Sequence, residues 1–196
     1  MLLRVLCGKY FIPVMRQRRS KPRTTAEKSP ASQLTPEEIR ARAFQRAVKL
    51  LAAKPRSVAE LRERLLERCS SKAVVETVIA RLREYGYLDD ERYALGYASA
   101  KLRQQPIGRR RLQQSLQMKK VDRAVADEAL DQVFAETSEA ELIDRAIEKR
   151  VRLRGRPKTR AEAKSLFDHL LRQGFPFELV SDKVRAALKT DLDETE

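Results

Sequence analysis

Asp89, Asp90 and Glu91 form the one cluster in this chain whose residue types and spacing suit metal-dependent chemistry. A nuclease of that kind needs carboxylates converging on Mg²⁺. The three acids follow the turn Gly86-Tyr87-Leu88 and open a helix. Acids in a first turn cap free amides and meet the positive end of the helix dipole, so Asp89 and Asp90 read as caps. The one histidine, His169, lies between two leucine positions of a helix and reads as a surface or packed residue. Neither Cys7 nor Cys69 has a histidine or acid at catalytic or metal spacing. The six glycines are scattered and build no phosphate-cradling loop. The residues therefore imply no enzyme, no metal and no cofactor.

What remains is cationic chemistry. The chain carries 42 Lys and Arg against 28 Asp and Glu, a net charge of +14. That balance points to a polyanionic partner or to an acidic protein groove, with acidic membrane a minor alternative. Two stretches concentrate the surplus. Between Lys101 and Arg123 stand eight bases (Lys101, Arg103, Arg109, Arg110, Arg111, Lys119, Lys120 and Arg123) against Asp122 alone. Between Arg145 and Arg160 stand eight more against Glu148 alone; Arg150, Arg152, Arg154, Arg156 and Lys158 are the densest part, and Arg160 joins them as a candidate contact. A charge run is ordinarily a solvated helix face. Both stretches, however, fall at the same place in an internal repeat, between its first and second helices. Stacked repeats would bring them onto related parts of one surface, where guanidinium forks grip phosphates or carboxylates.

The repeat sets the architecture. Shifts of 51 and 105 positions align Leu61 with Leu112 and Leu166, and Leu65 with Leu116 and Leu170. Val75 then meets Ala126 and Val180, Ile79 meets Leu130 and Val184, and Leu82 meets Val133 and Ala187. Apolar steps of three or four residues mark helix faces. The expected fold is all-α: three tandem three-helix, helix-turn-helix-like repeats forming an elongated, curved molecule with several small cores. Its parts are a basic arm over 1–36, repeats over 37–88, 89–136 and 137–190, and an acidic tail over 191–196.

Local signals place the helices. Thr35, Pro36 and Glu38 make a capping box before a helix reaching about Lys54. Ser57 with Glu60 makes a second box, and a helix runs on to about Arg68. The next runs from about Lys72 to Tyr85 and ends at Gly86. Thr159 with Glu162 makes a further box, three residues earlier than the repeat register requires, and Gly174 closes that helix. Tyr93 and Tyr97, one turn apart, read as a core stripe before a base-stacking platform. Phe175 and Phe177 read as core or staple residues. The two cysteines offer no disulfide framework, which favours a reducing cytoplasm. Met1–Met15 has neither the unbroken apolar core nor the cleavage site of a signal peptide, leaving Met1 and Met15 as alternative starts. No segment reads as membrane-spanning, and the repeats need no symmetry partner, so a monomer is expected.

The string Arg83-Glu84-Tyr85-Gly86-Tyr87-Leu88-Asp89-Asp90-Glu91-Arg92-Tyr93-Ala94 resembles the junction between the first two units of the RecX regulatory proteins, bacterial modulators of the RecA recombinase. Ala59-Glu60-Leu61-Arg62-Glu63-Arg64-Leu65, Gly108-Arg109-Arg110-Arg111-Leu112 and Arg172-Gln173-Gly174-Phe175 support the resemblance, which covers about Ala43 to Leu188. The chain departs from the family pattern at Cys69 and Ser70, at Lys119-Lys120-Val121 and at Gln105-Pro106-Ile107, and the basic arm lies outside the family core. The resemblance implies a non-enzymatic protein that lies along the groove of a RecA filament on single-stranded DNA. It would stop filament growth or favour disassembly, lowering ATP hydrolysis, strand exchange and co-protease activity in the SOS response, with at most weak binding to naked DNA. The alternative is a direct DNA-binding protein of tandem helix-turn-helix type.

Overall fold

The computed structural model describes residues 35–193, with side chains to Ala187. The basic arm expected over 1–36 therefore lies outside the described residues except for Thr35 and Pro36. The described residues form nine helices and no strand. The first repeat contains α1 (Pro36–Ala53), α2 (Val58–Leu66) and α3 (Lys72–Glu84); the second contains α4 (Asp90–Gln104), α5 (Arg109–Met118) and α6 (Arg123–Glu136). The third contains α7 (Glu139–Arg154), α8 (Arg160–Arg172) and α9 (Phe177–Asp193), so α9 continues into the stretch read as an acidic tail.

The aligned apolar positions are the positions that pack. Leu61, Leu112 and Leu166 are buried, as are Leu65, Leu116 and Leu170, and so are the Val75, Ala126, Val180 and Ile79, Leu130, Val184 sets. Burial of such side chains drives each triplet together at about 25 cal/mol per Å² of apolar surface. The first repeat has its own core around Leu61, Val75 and Leu82. The second and third share one, in which Leu112, Leu130, Leu142 and Leu170 belong to a single cluster. This differs from the expectation of separate small cores. A polar brace recurs as well: Arg62 reaches Glu76 at 2.7 and 3.1 Å across α2 and α3, and Gln113 reaches Asp127 at 2.5 Å across α5 and α6.

The repeats are joined by one contact used twice. The amide of Val58, first in α2, donates to Asp90 Oδ1, first in α4, at 2.9 Å. The amide of Arg109, first in α5, donates to Glu139 Oε1, first in α7, at 2.8 Å. A helix start leaves its amides unpaired, and here the next repeat supplies the acceptor. Asp90 thus caps the preceding repeat, correcting its reading as a cap of its own helix; Asp89 alone caps α4, accepting from the Arg92 amide at 3.0 Å.

The same helix starts also meet the following repeat's second turn. Ser57 Oγ donates to the Lys119 carbonyl at 2.5 Å, and the Gly108 amide donates to the Gln173 carbonyl at 2.9 Å. Each turn then takes a positive φ, 58° at Lys120 and 88° at Gly174. Ser57 is fully buried and accepts from the Glu60 amide, but Glu60 does not return the bond; its carboxylate goes to Arg56 at 2.5 Å. The capping box read at Ser57 and Glu60 is therefore half formed: the Ser57 end is made, and the Glu60 carboxylate is drawn to Arg56 instead of to the Ser57 amide. Among the described residues no helix follows α9. The start of α8 is closed by the reciprocal Thr159–Glu162 box, three residues earlier than the repeat register requires.

Candidate functional site

The basic residues separate into those spent on the fold and those left with their charge exposed. Lys119 lies 3.8 Å from Glu60, and Lys120 is paired with Glu63, so both face the first repeat. Arg109 pairs with Asp131 at 2.6 Å, and Arg123 approaches Asp127 at 3.6 Å. These four were read as a contact surface. Each has a carboxylate within the protein, and for the two lysines that carboxylate lies in another repeat. Arg110 is exposed and lines a groove on the outer face of α5 with Gln113, Gln114, Gln117 and Arg123. Lys101 is half-buried and Arg103 exposed, both in the last turn of α4.

A second group converges. Arg111 at the start of α5 donates to the Arg172 carbonyl at the end of α8, at 2.7 Å. Arg150 on α7 reaches Ser165 on α8 at 3.4 Å. Between them sits His169, whose imidazole is held below its ordinary value by partial burial and then by Arg150, Arg172, Arg111 and Arg154. Arg150 is likewise pushed down, by desolvation and by Arg154 and Arg172. Among the described residues no carboxylate pairs with Arg111, Arg150, Arg154 or Arg172. Four guanidinium groups from α5, α7 and α8 thus act on one imidazole, none of them in an ion pair among the described residues.

Like charges brought together raise the energy of the fold, and an arriving anion relieves that repulsion. Forks of N–H donors fit phosphate or carboxylate oxygens in pairs. A cluster of perturbed titrating groups in a cleft is a candidate binding site. Beside the cluster, Arg150 and Arg154 line a cleft with Gly155, Arg156, Ser165 and Glu162. Glu162 is committed to the cap of α8, where the Lys158 and Thr159 amides hold its carboxyl below the usual range. Arg152 and Arg154 end α7, and Lys158 and Arg160 are exposed on either side of that cap.

Charge windows along the chain single out Arg111, Arg150 and Arg154 but miss Arg172 and His169. The signal for these two was their spacing of three on α8, which puts both on one face. The acidic cluster does not converge: Asp89 caps α4, Asp90 caps α2, and Glu91 is exposed. Among the described residues no three His, Cys, Asp or Glu side chains gather as a metal site, and no helix is long and apolar enough to cross a membrane.

Two family models match, described as the first and second three-helix domains of RecX, over residues 43–82 and 89–130. Regulatory protein RecX of Chlorobium limicola is 30% identical over 145 residues, covering 74% of this chain and 88% of that one. The chain belongs to the RecX family. RecX of Treponema pallidum is 38% identical over 109 residues, covering 56% of this chain and spanning 66% of the relative's length. The crystal structure of RecX from Lactobacillus salivarius shares the fold, with a TM-score of 0.69, 18% identity and coverage of 79% of this chain and 99% of that one. A RecX regulatory protein built of tandem three-helix units accounts for the repeat, for the shared junction and for the acids spent on caps. The two family models cover the first and second repeats; the arginine cluster draws Arg111 from the second and its other members from the third.

Proposed function

We propose that this protein is a negative regulator of homologous recombination that binds the RecA filament on single-stranded DNA and lowers its ATP hydrolysis, strand exchange and co-protease activity. The observation that carries the reading is the cluster of Arg111, Arg150, Arg154 and Arg172 beside His169, held together by the Arg111–Arg172 and Arg150–Ser165 contacts and free of ion pairs among the described residues. A filament groove exposes DNA phosphate and acidic protein together, and such a cluster complements either. Family membership supports the regulatory role. In this reading the protein acts by binding.

The test is ATP hydrolysis by RecA on excess single-stranded DNA as this protein is titrated from far below RecA's concentration. Inhibition well below one copy per RecA is expected, and the Arg150→Glu, Arg154→Glu double variant should need at least tenfold more protein. Equal inhibition by that folded variant would remove the cluster from the interface. Absence of inhibition by the wild type, even at equal concentrations, would favour direct DNA binding instead.

A further inference from the structure

The meeting of the first and second repeats encloses a groove of about 560 Å³ that the arginine cluster does not use. Leu51 and Pro55 line it from the first repeat, and Gly96 and Ala100 from α4. Three of the chain's five tyrosines, Tyr87, Tyr93 and Tyr97, line it too. Tyr93 and Tyr97 are half-buried, with ring centroids 6.1 Å apart and planes 27° from parallel. They pack on the core, as their spacing suggests, yet also face the groove. Tyr87 is 63% exposed.

Gly96 is the odd residue. Glycine weakens a helix interior, and it is normally kept where a neighbour leaves no room for a β-carbon. Here a β-carbon would meet nothing within 4 Å, so no packing contact within the protein requires the glycine. What its bare backbone leaves open is the groove.

Cations complete the site. Lys54 and Arg92 line it and are exposed, and Arg92 donates to the Gly86 carbonyl at 2.7 Å rather than to an acid. Arg56 also lines it but is held by Glu60. The one acid present, Asp89, is occupied as the α4 cap.

We propose that this groove is a stacking site for one or two unpaired bases of single-stranded nucleic acid, with Lys54 and Arg92 taking the adjoining phosphates. Aromatic faces interleaved with cations are the chemistry of single-strand binding, because every base has a π-face and every linkage a charge. An apolar protein side chain would use the floor and leave the cations idle. Duplex DNA keeps its bases stacked in the helix and cannot offer them to the tyrosines. The inference goes beyond the regulatory reading, since it needs nucleic acid alone.

The test compares two labelled oligonucleotides of equal length and charge, oligothymidine and an abasic backbone, by fluorescence anisotropy. No recombinase is present. Oligothymidine should bind roughly tenfold more tightly, within the range for one aromatic stack. The chain has no tryptophan, so tyrosine emission reports stacking directly: it should fall with oligothymidine and hold with the abasic strand. Gly96→Leu starts from a β-carbon in open space and extends into the groove; it should bring the two affinities together with its helical circular dichroism unchanged, and exposed Tyr87→Ala should act in the same direction. Equal wild-type affinity for both strands, no binding of either, or an undiminished preference in both variants would overturn the proposal.

Discussion

Gly108 and Gly174 meet backbone to backbone across the second and third repeats, so closely that a β-carbon on Gly108 would lie 2.3 Å from the Gly174 carbonyl oxygen. A β-carbon on Gly174 would lie 2.4 Å from the Arg111 amide nitrogen, and Gly174 also holds φ at 88°. Neither obstacle is a side chain that can swing away. Gly108→Ala should therefore destabilise by about 3 kcal/mol, the upper part of the overpacking range. Gly174→Ala should cost at least as much, since a left-handed residue adds roughly 1 to 2 kcal/mol. Gly86 has the same handedness with open space around it, so Gly86→Ala should cost only about 1 kcal/mol. Urea unfolding of the three variants separates close approach from backbone conformation.

Asp90 and Glu139 bridge repeats through the Val58 and Arg109 amides, and each is the first residue of its own helix. Replacing either with alanine leaves a buried helix start short of an acceptor, a loss of about 1 to 2 kcal/mol. Glu91→Ala, on an exposed neighbour, should change stability by less than about 0.5 kcal/mol. Chemical denaturation that ranks Glu91→Ala beside Asp90→Ala would show that the acids merely favour the helix dipole.

Lys120 and Glu63 tie the second repeat to the first, with Lys119 and Glu60 beside them. Lys120→Glu should destabilise by about 1 kcal/mol, since partly exposed pairs contribute modestly and reversal adds repulsion. Adding Glu63→Lys should restore most of the loss, and inhibition of RecA per folded molecule should be unchanged throughout. Loss of inhibition without loss of stability would return Lys120 to the contact surface.

These cases show what the sequence makes legible. The Thr35–Glu38 and Thr159–Glu162 boxes close over three residues, so they can be read from the chain, and the repeated apolar spacing exposes the second and third helices of each unit. The Ser57 box resembles them, but its Glu60 carboxylate goes to Arg56, and its hydroxyl also donates to Lys119, 62 residues away. The partners of Asp90 and of the basic residues at 119 and 120 are invisible to local spacing as well, because they lie 32 and 57 or more residues off. Phe175 is core as its position suggests, whereas Phe177 is 64% exposed and only edges Phe167 at 5.4 Å between centroids. Local spacing specifies helices; it does not say which charge is neutralised once they pack.

His169 offers the sharpest probe of the cluster, because it is the chain's one histidine and its imidazole protons can be followed alone by NMR. Partial burial, Arg150, Arg172, Arg111 and Arg154 hold it below the ordinary value of 6.5. As pH falls, the unfolded chain takes up the proton before the folded one does. The neutral imidazole thus contributes stability that is present above pH 6.5 and is lost as pH drops through the folded value. His169→Gln should flatten that part of the stability profile. Arg150→Glu should move the titration midpoint of His169 upwards by removing a cation and adding an anion. A short single-stranded oligonucleotide added to the wild type should also raise it, as phosphates neutralise the arginines, and low pH should then strengthen binding by the linked proton. A midpoint at the ordinary value in the free protein, or one that does not respond to Arg150→Glu, would dissolve the cluster as an electrostatic unit.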